Sequence, residues 1–377
     1  MSDPFLVAII AGAGDARADQ LADELRARTA ALGPDHLVIA RDVATIAGLP
    51  ADMAAAAVMF ADGQETAAMA TLADACVARK MAVFPVVDDL TRFDALVPLA
   101  WRPYNGFEMR FDRDLPELAG LVLEALGLQR GRRKIFISYA RADAAAMARQ
   151  LREAFAARWY TVFLDTISIR PGRAFQAELM QELTDSDVFL LLNSPSVGTR
   201  IYVQKEIAST LQAGLGGVQL VWPGEAPRRD AIFTTLDLGT SGRLAKDFTL
   251  TDTGLNDVLH AVAAERTAVQ QQREHEVLRA VQAYAAGHNH SVVAHLGRYM
   301  ELVGPRGTVR LDVALGLPTS MDLATAWISA GNQTPKYVVY DPVGITDRFA
   351  DHLAFLDTRF PLQLLNMRDS LNWRVLP

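Results

Sequence analysis

Two apolar runs in the middle of the chain end on groups that can do chemistry. The first, Lys134-Ile135-Phe136-Ile137, leads into Ser138, Tyr139 and Arg141. The second, Asp187-Val188-Phe189-Leu190-Leu191-Leu192, leads into Ser194-Pro195, Tyr202 and Glu206. Between them lie Val162-Phe163-Leu164-Asp165 and the turn Arg170-Pro171-Gly172. Short apolar runs of this kind read as buried strands, and open α/β sheets place their ligand sites at the carboxyl ends of such strands. A hydroxyl, a phenol, a guanidinium and carboxylates converging there are the polar groups of a small-molecule pocket. Glu206 opens a helix whose inward residues are Ile207 and Leu211, so its side chain lies off the buried stripe. Its bland use is at the helix N-terminus, where a carboxylate is favoured by a few tenths to ~1 kcal/mol.

The elements that must position these groups are legible as alternation. Asp143–Arg158 reads as a helix with Met147, Leu151 and Phe155 stacked at i+4 spacing, a core stripe. Thr161–Leu164 is the next strand, and Ala174–Thr184 a helix with Phe175, Leu179 and Leu183 inward. Ahead of this segment, Phe5–Gly14, His36–Val43, Ala57–Ala61 and Met81–Val87 read as strands, with helices over Asp15–Leu32, Glu65–Lys80 and Asp114–Leu126. That succession predicts a doubly wound parallel sheet with right-handed crossovers. Gly12-Ala13-Gly14 has two glycines of a dinucleotide fingerprint, but Asp15-Ala16-Arg17 follows and the third glycine is missing. A tight turn is the simpler reading. Val7–Leu25 and Lys134–Leu151 share a pattern of apolar strand, small polar turn and Ala/Asp/Arg helix, as a duplicated unit would.

After the basic, glycine-containing stretch Gly127–Arg133 and the central segment, Asp252–Ala286 reads as helical. Its part Glu265–Glu276 is almost wholly polar apart from Val269, the mark of a solvent-bridging helix. His288-Asn289-His290 and His295 lack carboxylate or cysteine partners at metal-ligand spacing and read as a polar helix start. Thr308–Leu315 and Lys336–Tyr340 read as strands and Asp347–Phe355 as a helix, with Asp312 and Asp341 as turn and cap residues.

Half of the 377 residues are hydrophobic and 21% charged, enough to bury more than one core and unlike a disordered chain. A formal charge of −7 without long like-charge runs gives no electrostatic case for nucleic acid. The single cysteine, Cys76, sits in an apolar helical pattern as a small core residue, and with no intrachain disulfide the chain suits a reducing, cytoplasmic compartment. No basic-then-apolar leader opens it, and no apolar run approaches the ~20 residues that span a bilayer, so no membrane partner is expected.

Ile135–Tyr139 resembles the first signature box of TIR (Toll/interleukin-1 receptor) domains, whose first strand ends in Phe-Ile-Ser-Tyr. Asp165 with Ile169-Arg170-Pro171-Gly172 resembles the second box. Ser194-Pro195 and Tyr202-Val203-Gln204-Lys205-Glu206 resemble the Ser-Pro…Trp-x-x-x-Glu stretch of bacterial TIR domains. Tyr202 stands where tryptophan is usual, a smaller flat face. The resemblance covers residues 132–250. It implies a flavodoxin-like TIR domain there, preceded over 1–128 by a TIR-like or Rossmann-like domain that lacks the boxes and an active site. A helical linker over 252–286 and an α/β or α+β module over 287–377 complete the expected organisation.

What the resemblance implies for function is an NAD⁺ glycohydrolase, releasing nicotinamide and leaving ADP-ribose or a cyclic form. NAD⁺ is the substrate, and neither cofactor nor metal is called for. Glu206 takes the catalytic place. Nicotinamide leaves without a general acid, and a lone carboxylate suffices to stabilise the ribosyl oxocarbenium. Ser138 and Tyr139 would line the pocket, Arg141 would meet phosphate, Asp165 would order its loop and Gly172 would permit the turn. Self-association through the TIR domain, an activating ligand or protein at the flanking domains, and a role in bacterial defence or signalling are implied with it. Two alternatives stand beside this: a non-catalytic TIR adaptor working by TIR–TIR contact, and an N-glycosidase acting on another nucleotide.

Overall fold

The computed structural model describes residues 5–30, 36–50, 53–110, 114–164, 182–183, 185–197, 216–229, 233–240, 242–295, 299–329, 336–342, 345, 347–359 and 362–375. The chain divides into two compact units, Met1–Gly131 and Arg132–Pro377. In the first, strands β1 (Phe5–Ile10), β2 (Leu37–Ala40), β3 (Ala55–Phe60), β4 (Ala82–Val87) and β5 (Phe107–Glu108) form a parallel sheet in the order β2-β1-β3-β4-β5. Alternate residues of β1 feed two cores. Phe5, Val7 and Ile9 join helices α1 (Ala16–Thr29) and α5 (Leu115–Ala125). Leu6, Ala8 and Ile10 join α2 (Val43–Ala47) and α3 (Ala67–Ala78), where Cys76 is wholly buried. Burial on both faces is why these strands read as continuous apolar runs. The Gly12–Gly14 turn carries Gly14 at φ +82°, with Asp15 N–H donating to Gly12 O at 3.2 Å. α4 (Phe93–Leu96) is a single turn after β4.

The second unit opens with β6 (Arg133–Ser138), α6 (Arg141–Ala156), β7 (Tyr160–Leu164), β8 (Val188–Asn193), β9 (Gly216–Val221) and β10 (Thr234–Asp237). All neighbours pair in parallel, in the order β10-β9-β8-β6-β7. Counted within each sheet, both orders are 2-1-3-4-5, the flavodoxin-like arrangement. The stripe Met147, Leu151 and Phe155 is fully buried in the core that α6 makes with β6 and β8. The expected helix over Ala174–Thr184 lies almost wholly outside the described residues.

Helix α7 (Asp252–Gly287) serves two sheets of this unit. Val258, Leu259 and Val262 enter the core of the second sheet, and Val277, Val281, Tyr284 and Ala285 enter that of a third. It approaches closely enough that side chains are excluded. A Cβ on Gly216, at the start of β9, would stand 2.6 Å from Glu265 Cγ, and one on Gly254 would collide with Arg243 O. The polar stretch of α7 is not solvent-bridging, and that expectation is corrected. Arg266 and Gln270 are buried against Asp187, just before β8 and itself fully buried, which takes Arg266 Nε at 3.0 Å and Gln270 Nε2 at 3.4 Å, and buried Thr267 donates its Oγ1 to Ala263 O at 3.1 Å. An ion pair with a residue 79 positions away leaves no periodic trace in the helix.

The third sheet joins β11 (Ser291–His295), β12 (Tyr299–Gly304), β13 (Gly307–Ala314), β14 (Lys336–Tyr340) and β15 (Leu362–Asn366) in sequential order. Its first two pairings are antiparallel and its last two parallel. Helices α8 (Ser320–Ser329) and α9 (Asp347–Arg359) make the parallel crossovers. His288-Asn289-His290 therefore starts no helix. It ends α7, with Asn289 at φ +56°, and β-branched Val292 and Val293 carry the chain into a hairpin. No helix among the described residues is long and apolar enough to cross a membrane. Among them no cluster of histidine, cysteine and carboxylates is arranged to hold a metal.

Candidate active site

β6 and β8 are neighbours on either side of the point where the second sheet's connections change direction, with Ser138 opposite Leu191. Their carboxyl ends bring Ser138, Tyr139 and Arg141 beside Asn193 and Ser194. Alternation decides where the first two point. Ile135, Ile137 and Tyr139 belong to the core shared with α6, and Tyr139 is 2% exposed. Phe136 and Ala140 belong to the opposite core with Val197, and Ser138, fully buried, shares that face. Arg141 is the first residue of α6 and is exposed. Asp165, Gly172, Tyr202 and Glu206 lie outside the described residues.

The loop after β8 is held by a residue that sequence reasoning passed over. Asp143, in the first turn of α6, accepts from Ser194 Oγ at 2.6 Å and from Ser196 N–H at 2.9 Å. Hydrogen bonds to an ionised acceptor contribute about 1.5–3 kcal/mol each. The loop closes on itself through Val197 N–H to Ser194 O at 3.0 Å, and Val197 anchors it in the core. On the far side, Asn193 Nδ2 donates to Ala226 O at 3.0 Å, and Asn193 O accepts from Trp222 N–H at 3.1 Å. The frame around the carboxyl ends of β6, β8 and β9 is thus pinned at three places. A charged residue in a helix's first turn opposite a Ser-Pro-Ser strand end was the only signal, and it spans 51 residues.

The N-terminus of α6 differs from that of α1. Its N-cap is Ala140, which has no side-chain acceptor, whereas Asp15 caps α1 by accepting from Arg17 N–H. First-turn N–H groups without a side-chain cap suit an oxyanion of a ligand. Arg141 stands at that end.

Comparison with known proteins bears on this segment. No curated protein matches the chain. Among solved structures, similarity reaches a protein named as a two-component system response regulator/GGDEF domain protein, at 11% identity over 70% of this chain and 99% of that one, TM-score 0.33. A protein named as a phosphosugar isomerase from Silicibacter pomeroyi DSS-3 follows, at 11% identity over 71% and 86%, TM-score 0.21. Likenesses this small carry no argument. The family model of the TIR domain matches residues 135–236, from β6 into β10. The central part of the chain, built as a five-stranded parallel sheet with its polar groups at the ends of β6 and β8, is a TIR domain.

Proposed function

We propose that the chain cleaves the nicotinamide–ribose bond of NAD⁺, with Glu206 as the catalytic carboxylate. The observation that carries the reading is the TIR domain match over residues 135–236, which includes Glu206, Ser138 at the end of β6 and Arg141 at the start of α6. Chemistry supports it. Nicotinamide is a cationic leaving group that departs neutral, so one carboxylate beside the ribose suffices to stabilise the oxocarbenium by charge or by brief capture. The uncapped start of α6 and the Arg141 guanidinium suit the pyrophosphate. Asp143 holds the Ser194–Ser196 segment that leads toward Glu206 in sequence.

Assembly through TIR–TIR contact switches the activity on in this reading, with the flanking regions receiving the signal, in a bacterial defence or signalling role. The test is nicotinamide release from NAD⁺ by concentrated, crowded protein beside Glu206→Ala. Release that the substitution abolishes supports the reading. Absence of release in every assembled state replaces it with the adaptor, and release only from other nucleotides replaces it with a different N-glycosidase.

A further inference from the structure

The first unit carries a cavity of about 630 Å³ that neither the TIR match nor the sequence motifs assign. It lies across the carboxyl ends of β1 and β2 and the start of α3, the helix that follows β3, beside the β1/β3 switch point of a 2-1-3-4-5 sheet. Its size is that of a small-molecule site. The floor is apolar, with Ile10, Val43, Met69 and Leu72 offering a surface for a flat ring. The rim carries Asp15, Asp19, Arg41 and Asp42.

Three features fix the ligand's chemistry. First, the helix N-termini around the cavity are filled by the protein's own acceptors. Asp15 takes Arg17 N–H at 3.0 Å, Asp42 takes Thr45 N–H at 2.8 Å, and Thr66 takes Met69 N–H at 3.2 Å. Each cap occupies one first-turn N–H that a phosphate would otherwise use. Second, Asp15 is paired with Arg17 at 2.6 Å and Asp19 with Arg41 at 3.0 Å, so those charges balance and Asp42 adds one further carboxylate that leaves the rim net negative. Anions are therefore disfavoured. Third, ionised carboxylates only accept; Asp15 is taken up by Arg17, whereas Asp42, bonded by Thr45 N–H and Thr45 Oγ1, keeps acceptor capacity on Oδ2, so the complementary ligand presents donors. Asp42 stands just past the end of β2, the place from which an acidic residue reaches a ribose hydroxyl in dinucleotide-binding sheets.

We infer that the first unit binds a neutral nucleoside, its base on the Met69–Leu72 floor and its ribose diol donating to Asp42. The site is independent of the NAD⁺ reading. The fold that lacks the TIR boxes keeps a ligand crevice at the carboxyl edge of its sheet, without the charge pattern that would admit a phosphate.

The test is calorimetric titration of the full chain with adenosine, 2′-deoxyadenosine and adenosine 5′-monophosphate, beside three variants. Asp42→Asn keeps a competent helix cap while removing the charge. Ala68→Trp, at an exposed lining position, fills the cavity. Glu206→Ala separates this site from the TIR domain. The expected result is adenosine binding that weakens at least tenfold for the 2′-deoxy and monophosphate compounds and for Asp42→Asn, that vanishes in Ala68→Trp, and that is unchanged in Glu206→Ala. No adenosine binding, equal binding of the three compounds, or binding lost in Glu206→Ala but kept in Ala68→Trp each overturns the inference.

Discussion

Asp143 and Cys76 show how burial and partners set what a single side chain does. Asp143 ties the first turn of α6 to Ser194 Oγ and Ser196 N–H across the carboxyl edge of the second sheet. Asp143→Ala is expected to leave the buried stripe of α6 intact and release the 194–197 loop. Amide exchange at Ser196 should rise while that of α6 does not, and nicotinamide release should fall on the order of 10–100-fold, the cost of about 1 Å of misplacement. Cys76 is a different case, a thiol with no solvent contact, and burial pushes its pKa from 9.0 up to about 12. Between those values the unfolded thiol is ionised and the folded one is not, so the unfolded state binds fewer protons and stability falls as pH rises. The contribution is complete below about 9 and lost toward about 12. Urea midpoints measured across that window should drop more steeply for the wild type than for Cys76→Ala, and the native thiol should resist Ellman's reagent at neutral pH.

At the scale of elements, α7 is organised by an ion pair that its own sequence does not announce. Arg266 and Asp187 are 3% and 0% exposed at their side chains, with Nε to Oδ2 at 3.0 Å, and Lys134 N–H also donates to Oδ2 at 3.1 Å. Replacing Asp187 by Ala takes the carboxylate from a buried guanidinium, at about 3–5 kcal/mol. Thermal unfolding should show that loss, and pairing Asp187→Leu with Arg266→Met should recover most of it. The same contact explains what could be read in the sequence and what could not. β1, β3, β6 and β8 are buried on both faces, so composition alone marks them, and the Met147–Leu151–Phe155 stripe follows from helical spacing. The polar face of α7 looks solvated because its partner is on another strand. The β11–β12 hairpin was hidden by His288–His290, whose polarity suits a helix end or a loop equally. In the site, the groups at the ends of β6 and β8 are legible because strand ends are legible, whereas Asp143 acts through a contact that no local pattern encodes.

For the whole molecule, two sheets share one strand order and differ in how their carboxyl edges are dressed. The first caps its helix N-termini with Asp15, Asp42 and Thr66, each occupying one first-turn N–H. The second starts α6 on Ala140 beside Arg141, which suits an anion. α7 then carries buried residues into both sheets of the second unit, so the third sheet and the TIR domain share one continuous helix. Under the proposed function that shared helix is a physical route by which a signal received at the third sheet reaches the strands bearing the site.

The central claim rests on one carboxylate. Purified chain, concentrated with a crowding agent, should release nicotinamide from NAD⁺, and Glu206→Ala should release none while keeping the wild-type unfolding midpoint and state of assembly. Release that survives Glu206→Ala undiminished would contradict the account, because the TIR domain would then be cleaving NAD⁺ without the group on which the proposed chemistry depends.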